Sequence, residues 1–242
     1  MAKAAKRKKV EAEAFSGFSK QALGFFKNLA FYQSRDWFLE NKEIYDTQVM
    51  VPLRALVGEL AGEMEKLGLP LTGDPKRSIF RIYRDVRFSK DKTPYKTHAS
   101  MVLMRDDRKL SPGMVYVHID PEGSFVAMGT YHPEPDMLAA LRGSIVKSQK
   151  RWLGIVKDME RQGLELSQEE MLTRLPRGFD DYADSPVAHH LKMRSLVTRR
   201  DLPASVVGSR KLIKAVTDFV EEGRKFLEFN WSAEDHMRSE KK

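Results

Sequence analysis

Met114-Val115-Tyr116-Val117-His118-Ile119-Asp120-Pro121-Glu122-Gly123-Ser124-Phe125-Val126-Ala127-Met128-Gly129-Thr130-Tyr131 is the stretch from which a sheet can be argued. Apolar and polar residues alternate over Met114 to Asp120 and again over Ser124 to Tyr131, the period of two that strands impose. Asp120-Pro121-Glu122-Gly123 carries Pro and Gly where a type I turn accepts them. A connection this short forces an antiparallel pair. Upstream, alternation begins at Ile79. Phe80, Ile82, Val86 and Phe88 fall on one face of a strand over 79–88, with Arg81, Tyr83, Asp85 and Arg87 on the other. A further strand runs from about Thr97 to Arg105.

Helical spacing flanks this region on both sides. Ser19 is a candidate N-cap with Phe18 as its staple, and Leu23, Phe26 and Ala30 recur at three- and four-residue steps. A second helix starts near Ser34, with Trp37, Asn41 and Tyr45 on one core-facing stripe. Pro52 breaks or kinks it before Leu53, Leu56, Val57, Leu60 and Met64 resume the pattern. After His132-Pro133-Glu134-Pro135, two helices are expected around Met137 to Ile145 and Trp152 to Met159. A loop follows over Leu175 to Pro186, then a last helix with Leu212, Val216, Phe219, Val220 and Phe226. Helices, then strands, then helices specify an α+β fold, an antiparallel sheet of about four strands with N-terminal and C-terminal helices packed on it. Residues 15–231 form one such domain, between a basic, disordered tail at 1–14 and a polar tail at 232–242.

The chain has 242 residues, 41% of them hydrophobic, and no cysteine. Disulfides, thiolate nucleophiles and thiolate metal sites are therefore excluded. No window reaches the roughly 18 uninterrupted apolar residues of a membrane span, and the expected location is cytoplasmic. Of the net charge of +8, Lys3 to Lys9 supply +5 and the stretch Lys76 to His98 supplies +6, which leaves the remainder at −3. One basic strip on an otherwise acidic chain is the pattern of a localised anion site.

Within that strip Arg81, Arg84, Arg87, Lys90, Lys92, Lys96 and His98 are the candidate ligand-binding residues. Arginine forks pair bidentately with phosphate or carboxylate, and lysines add point charge. The expected partner is an anionic small molecule, with a nucleotide or nucleic acid among the options and no membrane. Arg84 shares its alternating face with apolar residues, so it requires either a partner or a bulge that turns it outward. His98, Asp85 and Tyr95 are the candidates for proton transfer if the same site is an enzyme's. For Asp85 an orienting ion pair is favoured, because neighbouring arginines weaken a carboxylate as a base. A structural or protein-interaction module with an ion-paired charged face is the third option. No cofactor is expected, since no P-loop, dinucleotide fingerprint or nucleophile elbow is present. No metal is expected either, because no carboxylate stands at ligand spacing from His118 and His132.

Several stretches together resemble the bacterial and fungal family known as domain of unknown function 2461. They are Ser34 to Phe38 with Lys42, Tyr45 and Pro52; Arg81 to His98; Tyr116, His118 and Gly123-Ser124-Phe125; His132-Pro133-Glu134-Pro135 with Arg142; Leu175 to Phe179; and Leu191-Lys192-Met193-Arg194-Ser195. The resemblance covers about residues 15–231. It implies that the charged segment belongs to the family's pattern, and it transfers no catalytic residue. One departure is Ala127-Met128-Gly129-Thr130, where the resemblance leads one to expect a run of small glycines and a close backbone approach.

Overall fold

In the computed structural model, residues 14–105 and 111–240 are described; the basic residues before Ala14 lie outside them. Ser19 caps α1 (Lys20–Tyr32) by accepting the Ala22 N–H, and Ser34 caps α2 (Arg35–Glu40) by accepting the Trp37 N–H. A short α3 (Lys42–Ile44) leads through a π-helical turn, Tyr45–Met50, into α4 (Val51–Lys66). Pro52 accounts for that turn. It brings no N–H and its ring crowds the carbonyl one turn back, and a widened turn relieves both without ending the helix. Trp37 and Tyr45 pack with Phe25 and Phe38 beneath it, as the aromatic stripe implies.

The sheet has four strands in the order β1 (Ala99–Leu103), β2 (Met114–Ile119), β3 (Ser124–Thr130) and β4 (Leu196–Leu202), every pair antiparallel. Between β3 and β4 the chain makes α5 (Pro135–Lys147), α6 (Gln149–Glu160), a 3-10 turn at Asp180–Tyr182 and α7 (Ala188–Leu191). After β4 come α8 (Ala204–Val207), α9 (Lys211–Glu222) and α10 (Arg224–Ser239). The architecture is thus α+β, with helices before and after the sheet. The last helix runs past Trp231 to Ser239 and buries Ala233 and Glu234.

Two strand assignments differ from the sequence expectation. The 79–88 segment is no regular strand, although it follows the edge of β1. Ile79 bridges Met101 and Tyr83 bridges Tyr95, so four steps on one side oppose six on the other and residues 96–100 bulge. Pro94 brings no donor to the pairing. Past Arg84 the chain folds on its own polar contacts: Asp91 accepts the Thr93 N–H, and Lys92 Nζ donates to the Val86 carbonyl. The fourth strand is instead Leu196–Leu202, hidden in the sequence by Arg199-Arg200-Asp201. Arg200 lies on the helix side, where its guanidinium sits over the Phe219 ring at 5.6 Å and meets Glu222 at 2.5 Å.

One face of the sheet makes the core. Met101, Leu103, Val115, Val117, Ile119, Val126 and Met128 are buried, and α4, α9 and α10 cover them. Among the described residues no helix is long and apolar enough to cross a membrane.

Candidate functional site

Because side chains alternate across a strand, the residues between those core positions floor the opposite face. Registers fix the rows: Ser100, His118, Phe125 and Asp201 lie in one, and Val102, Tyr116, Ala127 and Arg199 in the next. A cavity of about 460 Å³ opens on this floor. One wall is Phe80 with Lys96 and His98, the latter two on the 96–100 bulge; the other is Ser167, Glu169, Glu170 and Ser195. The second wall hangs on β4, where Ser167 N–H donates to the Val197 carbonyl at 2.8 Å and Arg194 N–H to the Glu170 carbonyl at 3.0 Å.

Of the seven basic candidates, Lys96 and His98 line this cavity and Arg81, Arg84, Arg87, Lys90 and Lys92 do not. Arg84 is half-buried and is held by Asp91 and Thr93, the partnered arrangement its position calls for. Arg87 forms a bidentate pair with Asp85 at 2.7 and 2.9 Å on an exposed loop. That guanidinium holds the Asp85 carboxyl below the usual range, which fits an orienting carboxylate and not a base. Tyr95 is buried against Phe38, ring centroids 4.7 Å apart. Gln33 clamps its backbone, accepting the Tyr95 N–H and donating to its carbonyl, both at 3.1 Å.

Sequence reasoning missed Arg199 and the carboxylate partner of the histidines. Arg199 lies over Phe125 at 5.4 Å and 3.9 Å from Glu169. His118 is stacked on Phe125 and faces the His98 ring at 4.1 Å. Its Nδ1 shares a 3.1 Å hydrogen bond with the Tyr116 hydroxyl, and its Nε2 lies 3.6 Å from Asp120 Oδ2. The hairpin shows only that His118 and Asp120 stand two residues apart on one face; the β1–β2 register, with Ala99 opposite Ile119, is what sets His98 opposite Asp120.

Burial pushes the His98 imidazole down to about 4, with the facing His118 and Lys96 adding to it and Asp120 opposing; burial lowers His118 as well. A proton accepted only in the unfolded chain destabilises the fold. The contribution of His98 is complete above about pH 6.5 and is lost as pH falls toward 4. Discounted for the water that reaches the cavity, it amounts to about 1–2 kcal/mol. Wild type should therefore lose that much more stability between pH 7 and 4.5 than His98→Asn does, read from urea unfolding; equal losses in the two proteins would sink the assignment.

The motifs that occur together in the sequence converge in space. Arg142 of α5, buried, donates from Nε to the Leu191 carbonyl at 2.8 Å and from Nη2 to the Met193 carbonyl at 3.0 Å. His132 N–H donates to Ser195 Oγ, and its ring meets Glu170 at 3.1 Å. Gly129, at φ +126, lies so close to β4 that a Cβ there would stand 2.1 Å from the Leu196 carbonyl oxygen. The close backbone approach is thus present, carried by a single glycine.

Fold and site together define an α+β protein with a ligand-sized cavity on the face of a four-stranded antiparallel sheet opposite its core. The chain belongs to the family described as conserved hypothetical protein (DUF2461), which matches residues 21–229. No curated protein and no solved structure matches it.

Proposed function

We propose that the cavity binds a small anionic molecule bearing a flat ring, the chemical class of a nucleotide. The observation that carries this is the pairing of an aromatic floor with two cations in one concavity: Tyr116 lies on the floor beside the stacked rings of Phe125 and His118, and Lys96 and Arg199 supply charge. The size suits it, since small-molecule sites span about 300–1,000 Å³. Stacking supplies most of the contact area for a flat ligand, and charge-assisted hydrogen bonds orient its anion. Glu169 and Glu170 on the opposite wall suit hydroxyl groups as acceptors.

A small molecule is favoured over nucleic acid because the cavity is concave and ligand-sized, while Arg84 and Arg87 of the basic segment lie outside it and are engaged by Asp91 and Asp85. Acid/base chemistry by the same site rests on His98, which is neutral at pH 7 and lines the cavity. Held down to about 4, it is a weak general base, because efficient bases sit near the working pH. Binding is therefore the preferred reading.

Calorimetric titration of a nucleoside monophosphate into wild type, Lys96→Ala, Arg199→Ala and Arg87→Ala tests it. Loss of a hydrogen bond to a charged group costs about 1.5–3 kcal/mol, so the first two variants should bind at least ~10-fold more weakly. Arg87→Ala should bind like wild type. The proposal fails if wild type takes up neither the nucleotide nor a sugar phosphate, or if Arg87→Ala loses as much affinity as Lys96→Ala.

A further inference from the structure

We propose that His98, His118 and Asp120 form a binding site for a divalent transition-metal ion. One nitrogen of each ring and one Asp120 oxygen lie within 4.8 Å of one another. Metal bonds of about 2.0–2.2 Å to nitrogen and oxygen place ligand atoms about 3–3.5 Å apart, within reach by small side-chain rotations. The backbone register assembles the set. His98 and Asp120 face each other across the open ends of β1 and β2, and His118 follows on the same face one pleat further in.

Two contacts pre-orient the ligands, as outer partners do in metal sites. The Tyr116 hydroxyl engages His118 Nδ1, leaving Nε2 toward Asp120. With Nε2 on the ion, Nδ1 carries the proton and donates it to Tyr116 Oη. At Asp120, Oδ1 accepts the Glu122 N–H at 2.8 Å in the hairpin turn, which aims Oδ2 at the histidines.

Two imidazoles and one carboxylate, with no sulfur, select zinc, iron(II), cobalt(II) or nickel(II) over magnesium and calcium, which demand oxygen cages. Three protein ligands leave positions open, and His98 and His118 line the cavity, so those positions face it. The same three residues would otherwise be a hydrogen-bonded, stacked cluster with no ion. This inference does not rest on the cavity's preference for an anionic ligand.

The test is calorimetric titration of zinc chloride into the tag-free full chain after chelator treatment and dialysis. The proposal requires one equivalent bound with a dissociation constant at or below about 10 μM. His118→Asn and Asp120→Asn should each weaken binding at least ~30-fold, and Tyr116→Phe about 10-fold, the scale of an outer-partner loss. Zinc should move the ring nitrogen resonances of His98 and His118 in wild type and leave those of His190, buried against Trp152. That readout uses no variant and stands even if a substitution unfolds the chain. No stoichiometric zinc, unmoved His98 and His118 resonances, or folded variants that bind like wild type would each overturn the site. Nucleotide titration into the chelated protein separates the two proposals: nucleotide binding without zinc uptake removes only the metal, and zinc uptake without nucleotide binding removes only the anion reading.

Discussion

Gly129→Val is expected to lower the unfolding free energy by about 3 kcal/mol or more, measured by urea denaturation. Gly129 sits at φ +126 in β3, a backbone region that a β-branched residue avoids. Its missing side chain makes room for the partner strand, because a Cβ would lie 2.1 Å from the Leu196 carbonyl and 2.9 Å from the Phe226 ring. The first is backbone paired in the sheet and the second is the start of α10 in the core, so neither yields cheaply. Backbone strain and overpacking therefore add. A loss below 1 kcal/mol would mean that β4 can move away, and with it the cavity wall that hangs on Ser167, Ser195 and Val197.

The second large effect is expected at Arg142, where Arg142→Met should cost about 3 kcal/mol and Arg142→Lys about half of that. Arg142 is 8% exposed, and its guanidinium has two carbonyl partners, those of Leu191 and Met193, at the end of α7. Methionine keeps the volume but leaves two buried carbonyls without donors, at about 1–3 kcal/mol each before water or rearrangement recovers part. Lysine reaches one of them without the fork geometry. Burial lowers the Arg142 pKa, the desolvation cost that these two hydrogen bonds offset. Met193 leads within two residues to Ser195, which accepts the His132 N–H beside the cavity. Nucleotide affinity should consequently fall with stability in Arg142→Met. Urea midpoints within 1 kcal/mol of wild type would contradict this linkage.

Much of the fold was legible because local signals agreed with tertiary structure. The β2–β3 hairpin carried alternation, a turn of known chemistry and a short loop together, and it stands as expected. The 79–88 segment carried alternation alone. Its pattern answered to packing of Phe80, Tyr83 and Tyr95 against neighbours, while Pro94 and the bulge at 96–100 broke the ladder. β4 went unseen for the opposite reason, since Arg200 satisfies an inward position by laying its guanidinium over Phe219 and pairing it with Glu222. A partnered guanidinium at an inward position thus gives a half-buried strand a charged sequence.

The site was legible only where it adjoins the basic strip. Lys96 and His98, which line the cavity, were singled out because charge concentrates there, and Arg81 and Arg87 were grouped with them by proximity in sequence. The bulge separates the two sets in space. Arg199, His118 with Asp120, and the Glu169–Glu170 wall come from β4, the hairpin and the segment that follows α6. No local pattern unites these elements, and only sheet register brings them to one floor.

Aromatic carbon–proton correlation spectra recorded during titration of a nucleoside monophosphate test most directly whether the open sheet face is the ligand site. Tyr116 and Phe125 report on the cavity floor. Phe88, 95% exposed beneath Arg87, reports on the basic loop. The predicted result is saturable movement of Tyr116 and Phe125 with Phe88 unmoved. Movement of Phe88 with Tyr116 and Phe125 unmoved would contradict it and return the site to the exposed arginines.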